Sequence, residues 1–201
     1  PFDGGDPIVH GEGLQPQLTP DGSKIAFTKN GQIWSAPTNG DETPLQLFQA
    51  RGRNGNISWS PNNEMLAFTS QRGDHSFIGL YRDSLQPIEW VTPSFHRDAN
   101  AAWSPDGRQL AYIRRPGTGG SPDPILEARH FPWKIMTFNT ATKSSRAIWE
   151  APKTIAGSPP STQGRYNLHW GKDGITFLSY HDKWPHLYAI NEQGGDAVLL
   201  T

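Results

Sequence analysis

The chain has 201 residues, 34% of them hydrophobic and 18% charged, enough to bury a core and too apolar for a disordered polymer. Eighteen basic residues against nineteen acidic ones leave a formal charge of −1, so there is no basic stripe for nucleic acid and no polybasic patch for a membrane surface. No run of about 18 apolar residues is present to span a bilayer, and zero cysteines exclude disulfides, thiolate metal sites and a cysteine nucleophile.

Gly and Pro are abundant, at 21 and 18 residues, as expected of a chain that turns often between short strands. Residues 1–13, with Ile8-Val9 as their one apolar pair, read as a leader, a linker or a strand closing a distant blade. A repeat then begins. Leu18-Thr19-Pro20-Asp21-Gly22 is followed by Trp59-Ser60-Pro61-Asn62-Asn63, Trp103-Ser104-Pro105-Asp106-Gly107 and Trp170-Gly171-Lys172-Asp173-Gly174. Pro presets one turn corner, and Gly or Asn tolerates the left-handed backbone that a tight hairpin needs.

Each turn feeds an apolar run: Ile25-Ala26-Phe27, Leu66-Ala67-Phe68, Leu110-Ala111-Tyr112 and Ile175-Thr176-Phe177. A third strand is expected at Gln32-Ile33-Trp34, Gly79-Leu80-Tyr81, Lys134-Ile135-Met136 and His186-Leu187-Tyr188, and a fourth ending near Leu47, Val91, Trp149 and Leu200. Four strands per repeat is the blade of an all-β propeller, and four copies make an incomplete ring. From Thr19 to Ser60 is 41 positions and from Ser60 to Ser104 is 44, as expected of blades of about 40–45 residues. The next interval, 67 positions to Gly171, contains two Pro/Gly/Ser-rich insertions, 116–132 and 151–165. The blades are expected at about 14–50, 51–93, 94–150 and 151–201.

Large residues alternating with Ala in the second strand suggest sheets packed on both faces, the small residue admitting the next blade. Trp34, Trp59, Trp103 and Trp170 are accordingly read as packing residues.

The stretches 71–79 (Gln71-Arg72-Gly73-Asp74-His75-Ser76-Phe77-Ile78-Gly79), 97–107, 167–170 and 182–188 resemble the amino-terminal propeller of bacterial prolyl oligopeptidase and dipeptidyl peptidase IV family serine peptidases. The resemblance implies a propeller that caps a C-terminal α/β-hydrolase domain carrying a Ser-Asp-His triad and admits short or unfolded peptides. No Gly-x-Ser-x-Gly elbow occurs in these residues, so no catalytic residue is assigned to this chain. Family members that trim dipeptides hold the substrate amine with carboxylates on a propeller insertion, and an Arg contacts a substrate carbonyl. On that basis Glu127 and Arg129 are candidate substrate-binding residues.

Asp74-His75 and Arg97-Asp98 are expected to pair and staple two blades. His181, Asp182 and His186 are read as a hydrogen-bonded hairpin corner rather than a metal site, and no cofactor is expected. Arg72-Gly73-Asp74 is a hairpin, not an adhesion signal. Peptide is the expected ligand, with self-association possible because an open ring leaves blade faces uncovered. The resemblance points to the periplasm or secretion, with the cytoplasm as the alternative. A stand-alone binding propeller of the TolB kind is the rival function. A glycan-cleaving propeller is disfavoured, since Gly22 and Gly107 directly follow Asp, whereas the sialidase-type turn places Gly one residue later.

Overall fold

The turn built around Thr19, Ser60 and Ser104 sets the architecture. In a computed structural model describing residues 7–120 and 128–201, the hydroxyls of Thr19, Ser60 and Ser104 donate to Asp21, Asn62 and Asp106 at 2.7 Å. Each hydroxyl also accepts the backbone N–H five residues on, that of Lys24, Met65 or Gln109, at 2.9–3.0 Å. Gly22, Asn63 and Gly107 complete the turn at φ of +71°, +61° and +69°, the left-handed region that favours Gly and Asn.

Four antiparallel blades result. Blade one holds β1 (Leu14–Leu18), β2 (Lys24–Lys29), β3 (Gln32–Pro37) and β4 (Leu45–Gln46); blade two holds β5 (Arg53–Trp59), β6 (Leu66–Gln71), β7 (Ser76–Tyr81) and β8 (Glu89–Trp90). Blade three holds β9 (Arg97–Trp103), β10 (Gln109–Arg115), β11 (Lys134–Asn139) and β12 (Ser144–Glu150); blade four holds β13 (His169–Gly171), β14 (Gly174–Ser179), β15 (His186–Ile190) and β16 (Val198–Leu199). Strands run in chain order within each blade, and one parallel bridge, Ser76 to Arg97, joins blades two and three into a continuous sheet.

The fourth turn differs from its sequence reading. Gly171 pairs directly with Gly174, leaving Lys172-Asp173 as a two-residue hairpin loop. Leu18 pairs with Ile25, Trp59 with Leu66 and Trp103 with Leu110, seven positions apart, whereas Trp170 pairs with Ile175, only five apart. Without the Pro and the hydroxyl, and two residues shorter, this repeat closes by a different route.

Alternation along the second strands divides the core into layers between blades. Leu66 and Phe68 pack with Ala26, Ile33 and Tyr81 in the layer between blades one and two, while Ala67 faces the layer between two and three with Tyr112 and Phe138. On β10, Leu110 and Tyr112 face blade two, and Ala111 and Ile113 face blade four with Trp133, Phe177 and Tyr188. The Ala positions therefore receive the next blade. Trp103 is buried and donates from Nε1 to Ser58 O of the preceding blade at 3.0 Å. Trp59 and Trp170 pack at the margins of the core layers, and Trp34, half-buried, lies under the Lys29 ammonium at 5.5 Å.

Gly79 is fixed by packing rather than by backbone conformation. It pairs across the strands with Phe68, and a Cβ there would stand 2.4 Å from the Phe68 ring. Replacing Gly79 with Ala should cost about 1–3 kcal/mol through overpacking. In urea denaturation, Phe68→Leu combined with Gly79→Ala should lose less than the sum of the two single changes, because the smaller side chain relieves the clash.

Candidate functional site

The first strands β1, β5, β9 and β13 lie side by side, and each has, within it or just before it, a residue in the left-handed region: Gln15 (φ 53°), Asn56 (50°), Asn100 (56°) and Asn167 (41°). Each stands three positions before the residue that opens the turn. In β1, β5 and β9 this residue sits in a β-bulge, where the pairing register skips. Asn tolerates this conformation better than most residues. Neighbouring bulges are linked: Gln15 Oε1 accepts the Asn56 N–H at 3.1 Å. The repeated Asn-x-x-Trp spelling at Asn56, Asn100 and Asn167 was the available sequence signal for this amide-lined wall.

The hairpin loops between second and third strands, and the connectors between blades, gather at one end of these strands. Both insertions, one within blade three and one leading into blade four, lie there and are tied down. Where the first insertion begins, the Thr118 N–H donates to Asp74 O at 2.9 Å, and a Cβ on Gly117 would strike Phe95 O. Where it returns, the Phe131 N–H donates to Ser158 Oγ at 3.1 Å and the buried Trp133 indole to Gly157 O at 3.0 Å. A single 3-10 turn, Ile155–Gly157, capped by Thr154 Oγ1, shapes the second insertion.

Between the insertions is a cleft of about 720 Å³, within the range of about 300–1,000 Å³ typical of ligand sites. Pro116, Phe131, Pro132 and Pro159 supply apolar wall, Arg97, Arg115 and Arg129 supply donors and positive charge, and His130 adds an imidazole. Arg129 stacks its guanidinium 4.9 Å above the Phe131 ring. Of the two residues assigned from sequence, Arg129 thus lines the cleft, and Glu127 lies outside the described residues.

Two of the described carboxylates near this end, Asp74 and Asp98, are already engaged. Asp74 pairs with His75 Nδ1 at 2.7 Å, which with backbone and Coulombic contributions holds its pKa below the ordinary range. The Asp98 carboxylate does not reach blade two, contrary to the stapling expected from sequence; only its backbone carbonyl does, accepting the Ser76 hydroxyl at 2.8 Å. Asp98 lies within β9, fully buried, where Arg114 grips it with Nε and Nη2, both at 2.7 Å. Burial pushes Asp98 upward in pKa while Arg114 opposes it, and the bidentate bond raises Arg114 in turn. The staple is Arg97 itself, donating to Gly73 O of blade two at 2.8 Å, because β9 turns the Asp98 side chain to the opposite face.

At the blade-four corner, His181 Nδ1 lies 2.9 Å from Ser179 Oγ, and His186 Nε2 lies 3.7 Å from Asp182 Oδ2. The Tyr188 hydroxyl is pushed up to about 12 by burial and by the Asp182 carboxylate. These are pairwise contacts, and among the described residues no three His, Asp or Glu side chains converge on a metal position.

Comparison with solved structures places the architecture. The chain resembles dipeptidyl peptidase 4 from Porphyromonas gingivalis, with TM-score 0.61 and 12% identity, over 92% of this chain and 32% of that one. It resembles TolB from Acinetobacter baumannii, with TM-score 0.57 and 17% identity, over 92% and 40%. It also resembles oligogalacturonate lyase from Vibrio parahaemolyticus, with TM-score 0.60 and 12% identity, over 94% and 52%. The fold is a β-propeller. A peptidase, a lyase and TolB share it at low identity, so the likeness carries the fold alone, and the chain spans about a third to a half of each of these proteins. No family model and no curated protein matches the sequence. Among the described residues, no helix is long and apolar enough to cross a membrane.

Two consequences of the site's foundations can be measured. Asp98→Ala would leave Arg114 buried without its partner and should cost roughly 3–5 kcal/mol in chemical denaturation, whereas Asp98→Leu combined with Arg114→Met should recover most of that loss. Burial holds His181 below its ordinary 6.5, against the opposing pull of Asp182. The unfolded chain therefore takes up this proton first as pH falls, and stability contributed by neutral His181 is lost from about pH 6.5 downward. Thermal melts from pH 7.5 to 5 should fall less steeply for His181→Gln than for the parent chain.

Proposed function

We propose that the chain is the non-catalytic propeller portion of a serine peptidase, of dipeptidyl peptidase, acylaminoacyl peptidase or oligopeptidase type. It selects peptides and passes them to an α/β-hydrolase domain that these 201 residues do not include. The observation that carries the reading is the cleft between the two tethered insertions, with Pro and Phe walls beside arginine donors. An extended peptide offers what such a cleft takes: apolar side chains for the walls and backbone carbonyls for guanidinium N–H groups. The P. gingivalis peptidase of similar fold supports the assignment, as do the motif stretches at 71–79, 97–107 and 182–188. The reading also puts the protein in the periplasm or outside the cell.

A second reading, a protein-binding propeller without enzymatic activity, is favoured by the similarity to TolB over the same share of this chain. Hydrolysis of X-Pro, X-Ala and acyl-aminoacyl chromogenic substrates by the full-length protein separates the two. Turnover abolished by a serine-directed fluorophosphonate is the expected result, with Arg129→Gln raising KM more than it lowers kcat. Absence of turnover and of probe labelling would leave the binding propeller.

A further inference from the structure

A second cavity, of about 390 Å³, adjoins the cleft and shares Arg97 and Arg115 with it. Arg165, from the connector leading into blade four, completes a trio of guanidinium groups around it. Among the described residues no acidic side chain lines this cavity, although the chain as a whole carries slightly more acidic than basic residues. Segregation of charge on that scale is local and specific.

Two further features give the trio meaning. Arg97 and Arg115 are direct cross-strand partners in the β9–β10 pair, an arrangement of like charges that weakens a sheet. Among the described residues neither is in an ion pair, and Arg165 has no side-chain hydrogen bond; Arg97 makes one, to the carbonyl of Gly73. Tyr166 lines the same cavity at 2% exposure, its hydroxyl buried beside the Arg115 guanidinium. A bound oxyanion would offset the repulsion, and the planar forks of arginine suit a carboxylate.

We infer that Arg97, Arg115 and Arg165 form a carboxylate site in the inner wall of the propeller, which takes the terminal or side-chain carboxylate of a peptide lying in the adjoining cleft. The identity of the ligand as a peptide rests on the function proposed above; the anion site itself rests on the arginines. Arg115 is the central residue, at the end of β10 between the two cavities. Arg165 closes the site from the blade-four side.

The test is calorimetric titration of the full-length protein, with any reactive serine blocked, using three pentapeptides: a neutral sequence with a free C-terminus, its C-terminal amide, and an amide carrying one internal Glu. The free acid should bind about 10- to 100-fold more tightly than the neutral amide, as expected for loss of a charge-assisted hydrogen bond. Its advantage should shrink in high salt and be lost in Arg115→Gln and in Arg165→Gln. The Glu-containing amide reports the source: binding like the acid, it assigns the site to acidic side chains as well as chain ends; binding like the neutral amide, it assigns the site to chain ends. Equal binding of acid and neutral amide, unchanged in both variants, would overturn the carboxylate site and leave the peptide reading intact. If no peptide binds, but inorganic phosphate raises the melting temperature of the parent and not of Arg115→Gln, the anion site stands and the peptide reading falls. If neither peptide nor phosphate binds, both fall.

Discussion

Every blade here is a sheet with two apolar faces, and a sheet of that kind is stable only with a neighbour on each side. That requirement organises the rest of the structure. It explains why the core is a series of layers between blades instead of one central mass, and why the second strands alternate large residues with Ala. Ala26, Ala67 and Ala111 are fully buried although small, because the next blade's larger side chains occupy the space above them. Leu14, Leu18 and Leu45 on the first blade and Val198, Leu199 and Leu200 on the fourth are exposed.

Packing in layers leaves the first strand of each blade to face the inside of the arc. Polar backbone and side-chain groups are concentrated there, and the bulges turn Gln15, Asn56 and Asn100 out of the regular ladder. At one end this wall becomes the cleft, because the third blade's insertion and the connector into blade four rise from the same side and are stitched together through Trp133, Gly157 and Ser158. A rigid scaffold below and variable loops above is the common division of labour between stability and recognition. The buried Asp98–Arg114 pair belongs to the scaffold, whereas Arg97 and Arg115, its neighbours in sequence, point to the other face and belong to the cavity.

Residue by residue, the turns and strands were legible because their causes are local. Pro20, Pro61 and Pro105 with the Gly or Asn two positions on define a turn irrespective of what packs above it, and the apolar runs that follow alternate with the period of a strand. The fourth turn misled for a local reason as well: Gly171 to Gly174 spells a similar string, but the two residues missing before Ile175 change the pairing. The insertions at 116–132 and 151–165 were recognisable by composition, while their mutual anchoring was not, since Trp133 and Gly157 are 24 positions apart. Asp98 could not be assigned its partner from adjacency, because strand alternation sends neighbouring residues to opposite faces.

By itself, the sequence determined the all-β class, the four repeats, the turn chemistry and the absence of a nucleophile elbow, all properties fixed within a few residues of one another. Only the tertiary structure decided that Arg97, Arg115 and Arg165 share a cavity with a buried tyrosine and, among the described residues, no carboxylate. The reason is geometric. Convergence of side chains from positions 97, 115 and 165 depends on the stagger of adjacent strands and the approach of the next blade, and no spacing along the chain encodes either.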